Sequence, residues 1–242
     1  MGIDKPDVRF VIHHSLAKSM ENYYQESGRA GRDGMPAVCI LYFRLADVFR
    51  QSTMVATERT GVEHLYGMLS YSLELAQCRR ALIAEHFGET WEQSWCREQC
   101  DICVDPSRAT RQEDVTAHWR AMVAVIEEAS ASTKKDGQGK LTGAKLIELC
   151  VKKLPKKTRP TKDHLERILA TLLLEGYLRE DFHFTPYSII SYVVVGPKHA
   201  LFANDESHRV SVTVWAAESH QADVAPSVAK KRKIEDVVDL SD

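Results

Sequence analysis

Four cysteines stand at a chelating spacing, Cys78-x17-Cys96-x3-Cys100-x2-Cys103, with Asp101 between the last two. Two thiols separated by two residues can bite one cation. Four thiolates close a tetrahedral Zn2+ shell and leave no position for water, so the chemistry is structural rather than hydrolytic. The alternative is four reduced cysteines in a small core, which gives no reason for the clustering at 96, 100 and 103. A second chemical stretch is Gln25-Glu26-Ser27-Gly28-Arg29-Ala30-Gly31-Arg32-Asp33-Gly34, in which each arginine directly follows a glycine. A planar guanidinium donates paired hydrogen bonds to phosphate better than an ammonium does. Glycines at 28, 31 and 34 allow sharp turns that bring such groups close to a ligand. Here the alternative is a surface loop with two solvated arginines.

These groups need elements to hold them. Val8–His13 and Ala37–Phe43 are apolar runs of strand length. Between them Ser19 is an N-cap for a helix over Met20–Ser27. Glu63 to Phe87 reads as one or two helices, with Leu65, Met68, Leu69, Leu73, Leu75 and Leu82 near helical spacing. The cysteine knuckle follows it. Arg79 and Arg80 are read as either phosphate contacts or a solvated or ion-paired helix face, and His86 is placed outside the metal site. Cys39 and Cys150 lie in apolar runs and read as buried free thiols.

Beyond Pro106 the character changes. Val115–Ala129, Ala144–Lys152 and His164–Glu175 are amphipathic helices, the third stopped by Gly176. Ser130 to Lys140 reads as a mobile linker. Tyr177–Phe184 and Ser188–Val195 are strands joined at Thr185-Pro186-Tyr187, and three helices followed by such a wing make a winged helix. A basic run, Lys152, Lys153, Lys156, Lys157 and Arg159, would give sequence-independent phosphate contacts. Tyr187 sits at the turn, where a ring either stacks on a ligand or packs on its own strands.

From residue 203 the chain reads as a mostly disordered tail, with Val210–Trp215 alternating like a strand. Lys230-Lys231-Arg232-Lys233 is a compact basic cluster and Val237-Val238-Asp239-Leu240 an apolar run beside acids. The whole chain holds 32 basic against 34 acidic residues, a balance that says nothing about nucleic acid. Distribution says more. From Thr133 to Arg167 there are eleven Lys/Arg against four Asp/Glu, and after residue 202 eight acids against five bases, which suggests a basic module with a separate tail. No apolar run reaches the roughly 20 residues of a membrane span, and a secretory signal is missing. Six cysteines, three of them packed together, suit metal binding in a reducing compartment.

The Gln25–Gly34 string resembles motif VI of superfamily 2 helicases, in the form used by the RecQ family. Met1-Gly2-Ile3-Asp4-Lys5-Pro6-Asp7-Val8-Arg9-Phe10-Val11-Ile12-His13 resembles the RecQ motif V, entered at its middle. The cysteine spacing resembles the RecQ zinc-binding subdomain, and the helices and hairpin resemble the RecQ C-terminal (RQC) winged helix. The likeness covers residues 1 to about 200 and is nearest to the short animal, Q1-type members.

The resemblance implies an α/β plus α+β architecture. Residues 1–55 would end a RecA-like domain, 56–110 form the zinc module, 111–202 the winged helix and 203–242 the tail. It implies 3′-to-5′ DNA unwinding with ATP and Mg2+ held between two RecA-like domains. Arg32 would be the arginine finger, with Arg29 and Gln25 at the nucleotide and Gly2 and Asp4 coupling it to DNA. Tyr187 would be a wedge at a fork. Lys230–Lys233 resembles a nuclear import signal read by importin, implying a nuclear protein, and the run after it resembles a SUMO-interacting motif.

The 242 residues contain no G-x-x-x-x-G-K-[ST] phosphate loop. The chain is therefore expected to lack ATP turnover by itself and to need a preceding RecA-like domain. Without it the strands of 1–55 would lack neighbours. Two other readings compete with a helicase part: a non-catalytic protein that binds structured DNA, and a zinc-stabilised winged-helix transcription factor.

Overall fold

The structure, a computed structural model, describes residues 5–131, 139–153, 160–202 and 205–216. It opens with strand β1 (Phe10–His13), helix α1 (Met20–Ser27) and strand β2 (Val38–Leu41). Ser19 caps α1 by accepting from the backbone N–H of Asn22 at 3.3 Å. The two strands run parallel, in a register from Phe10 opposite Val38 to His13 opposite Leu41. Both are shorter than their apolar runs. Phe10, Ile12, Val38 and Tyr42 stay exposed, since no other strand pairs with this sheet among the described residues.

Helix α2 (Leu45–Val55), which the apolar spacing did not single out, follows β2 after three residues. It packs on α3 (Gly61–Leu73), whose Leu65, Met68 and Leu69 are fully buried. The 63–87 segment breaks at Glu74, whose carboxylate accepts from the N–H groups of Leu75, Ala76 and Gln77. Three donors gathered on one side chain end α3 and open the turn into α4 (Arg79–His86).

Strand β3 (Thr110–Asp114) leads into α5 (Thr116–Ala131), α6 (Gly143–Lys153) and α7 (Lys162–Leu174). Then come the hairpin strands β4 (Leu178–Phe184) and β5 (Ile189–Val195), a short α8 (Pro197–Phe202) and β6 (Ser211–Trp215). The end of α7 is a Schellman turn. Gly176 takes φ +79°, its N–H donates to Leu173 O, and the Tyr177 N–H reaches Leu172 O at 3.0 Å. The hairpin is antiparallel from Leu178 opposite Val195 to Phe184 opposite Ile189. Leu141 adds one bridge to Val193 at its base.

Trp119, Met122, Leu146, Leu165, Ile168, Leu169, Leu172 and Leu178 fill one core, which is continuous with the α3 leucines. The alternation read over Val210–Trp215 is strand β6, which pairs antiparallel with β3, Thr110 opposite Trp215 to Asp114 opposite Ser211, so residues 205–216 stand apart from the mostly disordered tail expected from 203. Val210, Val212 and Val214 are thereby buried. Gly2, Asp4, Lys156, Lys157, most of the 130–140 linker, Lys230–Lys233 and the 237–240 run lie outside the described residues. No helix among the described residues is long and apolar enough to cross a membrane.

Candidate functional site

Cys78, at the N-cap of α4, meets the three cysteines of the following knuckle, and the four Sγ atoms all lie within 4.8 Å of one another. The sulfurs of Cys78 and Cys100 are 3.9 Å apart. A tetrahedron with Zn–S bonds of about 2.3 Å has edges of about 3.8 Å, so the pocket fits that ion. No pair is bonded as a disulfide. Between the ligands the backbone turns through Arg97 and Glu98, both left-handed at φ 50° and 57°. Each such non-glycine residue costs about 1–2 kcal/mol, a cost that aiming Cys96 and Cys100 at one point accounts for.

The electrostatics agree. Burial opposes ionising Cys100, but the backbone N–H groups of Cys103 and Arg79 outweigh it and bring its thiol down to about 7. Burial and the neighbouring sulfurs push Cys103 up, and burial raises Cys78. Four thiols crowded together cannot all ionise without a cation among them. A bound zinc would supply that charge.

Arg79 locks the knuckle from outside: its Nε and Nη2 donate to the two oxygens of Asp101, each at 3.0 Å, and its Nη1 donates to Tyr71 O. Arg80 donates to Gln99 at 2.6 Å. Arg79 therefore belongs to the ion-paired alternative, while Arg80 is exposed and donates to an uncharged amide. His86 stays outside the metal shell and contacts Glu21 at 2.6 Å. Ser19 and His86 together hold Glu21 down to about 2.

The arginine loop leaves α1 at Gly28, which has ordinary φ −66°; only Gly31 and Gly34, at +65° and +80°, use glycine's left-handed freedom. At Gly31 a Cβ would sit 2.8 Å from Met35 O. The loop is moored to the residues leading into β1: Gly31 N–H donates to Val8 O at 2.9 Å, and Arg9 donates to Asp33 and to Pro36 O. Arg9 was not singled out from the sequence, where one arginine inside the apolar run Val8–His13 carries no mark. It holds the loop so that Arg32 and Gln25 are exposed and Arg29 half-buried. His13 adds a second tie, to Glu26 at 2.9 Å. Cys39, expected to be buried, is exposed because it lies on the uncovered sheet. Cys150 is buried, and burial lifts its thiol to about 11.

At the far end, Tyr187 is 98% exposed and rules out a ring packed on its own strands. Thr185 holds the tip rigid, its N–H donating to Ser188 O at 2.9 Å and its Oγ1 accepting from Ser188 N at 2.9 Å. Of the basic run, Lys152 is paired with Glu148 at 2.6 Å and Lys153 with Glu128. Their charge is partly neutralised in place.

Comparison with known proteins matches residues 45–104 to the RecQ zinc-binding family and residues 1–34 to the helicase conserved C-terminal domain. The first match takes in α2 as well as the thiol knuckle. A Caenorhabditis briggsae relative is 57% identical over 204 residues, 84% of this chain and 32% of its own length. ATP-dependent DNA helicase Q1 of Mus musculus is 44% identical over 245 residues, 98% of this chain and 36% of that protein. RecQ-like DNA helicase BLM of Xenopus laevis is 31% identical over 226 residues. The chain thus spans about a third of the length of the first two relatives. With the four thiols, the arginine loop and these likenesses together, the chain belongs to the RecQ helicase family, of which it carries the zinc-binding domain and the end of the helicase C-terminal domain.

Proposed function

We propose that this chain is the DNA-engaging part of an ATP-dependent 3′-to-5′ DNA helicase, with a zinc-stapled module between an arginine-finger loop and a winged helix. The observation that carries this reading is the rigid, fully presented Tyr187 at the tip of the β4–β5 hairpin. The third helix of a winged helix is the usual groove reader. Here α7 is engaged elsewhere: Arg167 donates to Thr213 O at 3.0 Å and to Leu73 O at 2.5 Å. The hairpin is left as the element free to meet a fork, with Tyr187 stacking on the last base pair as the strands part. Arg32, with Arg29 and Gln25 beside it, would neutralise phosphate charge on a nucleotide held with Mg2+ by another RecA-like lobe. Gly2 and Asp4 would couple that nucleotide to DNA, and Lys152, Lys153, Lys156 and Lys157 would track the DNA backbone. Lys230–Lys233 would serve nuclear import, and the run beyond it SUMO binding.

Replacing Tyr187 tests the wedge. Because the ring touches nothing in the fold, Tyr187→Ala leaves stability unchanged and weakens binding to a fluorescent fork by about tenfold, a stacked base being worth on the order of 1–3 kcal/mol. Tyr187→Phe keeps wild-type affinity. Equal binding by the alanine form refutes the wedge.

A second reading, a non-catalytic protein that occupies branched DNA, is favoured by the missing phosphate loop. Purified zinc-loaded chain is expected to bind forks and to show no DNA-stimulated ATP turnover. Turnover that disappears in Arg32→Ala would reveal a nucleotide site within these residues and overturn that expectation.

A further inference from the structure

Glu180 lies on β4, seven residues before Tyr187, and is 8% exposed. Its carboxylate is held by hydroxyls from three elements: Ser52 Oγ of α2 at 2.5 Å, Tyr66 OH of α3 at 3.0 Å, and Ser191 Oγ of β5. Burial raises its pKa in spite of these donors. An unpaired carboxyl in such a place costs more than an apolar side chain of the same volume. What the carboxyl adds is direction, because three donors on two oxygens admit one orientation, whereas apolar contact does not.

The elements it joins are the informative ones. Helix α2 continues directly from β2, and it is bound back to the sheet unit: Arg50 donates to Ser15 Oγ at 2.8 Å and Gln51 to Leu16 O at 3.1 Å. The arginine loop belongs to that same unit. Ser52 is thus the last link of a chain that begins at the loop and ends on the hairpin.

We propose that Glu180 is a positioning residue: by way of Ser52 and Tyr66 it sets the angle of the Tyr187 hairpin relative to the unit bearing Arg29 and Arg32. This rests on the reading of the hairpin as the element that meets DNA. Glu180 does not touch DNA itself, and it acts only through where the tip points.

Nitroxide labels attached through p-acetylphenylalanine at Phe184, on the hairpin, and at Asn22, on α1 of the unit that carries the arginine loop, report that angle by pulsed electron resonance. Both sites are exposed. In the zinc-loaded chain, Glu180→Ala broadens a narrow label distance distribution and, without labels, lowers fork affinity about tenfold, matching Tyr187→Ala. Glu180→Gln, whose amide still serves all three hydroxyls, restores both readouts. A narrow, unshifted distribution in folded Glu180→Ala overturns the proposal. If Glu180→Ala does not fold, Tyr66→Phe and Ser52→Ala remove the donors singly and carry the same test. Should Tyr187→Ala bind forks normally while Glu180→Ala still broadens the distances, the wedge fails and the positioning role stands.

Discussion

Removing zinc with a chelator, or substituting Cys96→Ser, is expected to unfold residues 74–104 while the α5–β5 core survives. Within that segment α4 and one short 3-10 turn are the only helices, and just Leu75, Cys78, Ala84 and Cys96 are buried apolar residues. Four buried side chains give so long a segment little apolar burial to set against the entropy of ordering it. Structural zinc in small peptides supplies about 10–16 kcal/mol, enough to decide whether the knuckle exists. Left-handed Arg97 and Glu98 would relax once no ion draws Cys96 and Cys100 together. Amide exchange followed by mass spectrometry reads the result: protection disappears across 74–104 and persists in 165–173. Unchanged protection in metal-free protein would show the thiols to be an ordinary small core.

Gly196→Ala is expected to be the most damaging single methyl group near the hairpin. A Cβ there would lie 2.4 Å from Gly176 O and 2.9 Å from Tyr177 C, both backbone atoms of the Schellman turn. Backbone cannot rotate aside as a side chain can. Gly196 N–H also donates to Tyr177 O at 2.9 Å, so the turn and the end of β5 would have to separate. Overpacking of this kind costs about 3 kcal/mol or more, a fall of roughly 6–12 °C in Tm for a chain of this size. Gly176→Ala is the control. It meets nothing within 4 Å and suffers only from φ +79°, about 1–2 kcal/mol. Thermal unfolding of the two variants tests the ordering: an equal loss in both would mean that backbone strain, not close approach, governs the site.

Gly196 also shows how far sequence reading reaches. Gly196-Pro197 was legible as the end of a strand, because both residues break regular structure wherever they stand. That the glycine exists to let one backbone pass another was not legible, since its neighbour arrives from the end of α7. The same division runs through the functional site. The thiol spacing, the Ser19 cap, the Gly176 stop and the turn at Tyr187 are local, and their residues specify them within a few positions. Helix α2 was missed for a related reason: Phe49, against which a Cβ on Gly143 would collide, packs on a segment ninety residues away.

Sequence alone determined a four-thiolate metal site, a loop able to present two arginines, and three helices followed by a hairpin. Chelate spacing, glycine conformation and helical periodicity act over a handful of bonds. Only the tertiary structure decided that Arg9 moors the loop, that Arg79 is committed to Asp101 of the knuckle, and that β3 pairs with β6 about a hundred residues on. It also decided that Glu180, an unremarked acid in an alternating strand, faces inward onto Ser52 and Tyr66. A lone polar side chain acquires its role from whatever the fold brings opposite it, and partners 114 and 128 residues away leave no trace in local pattern.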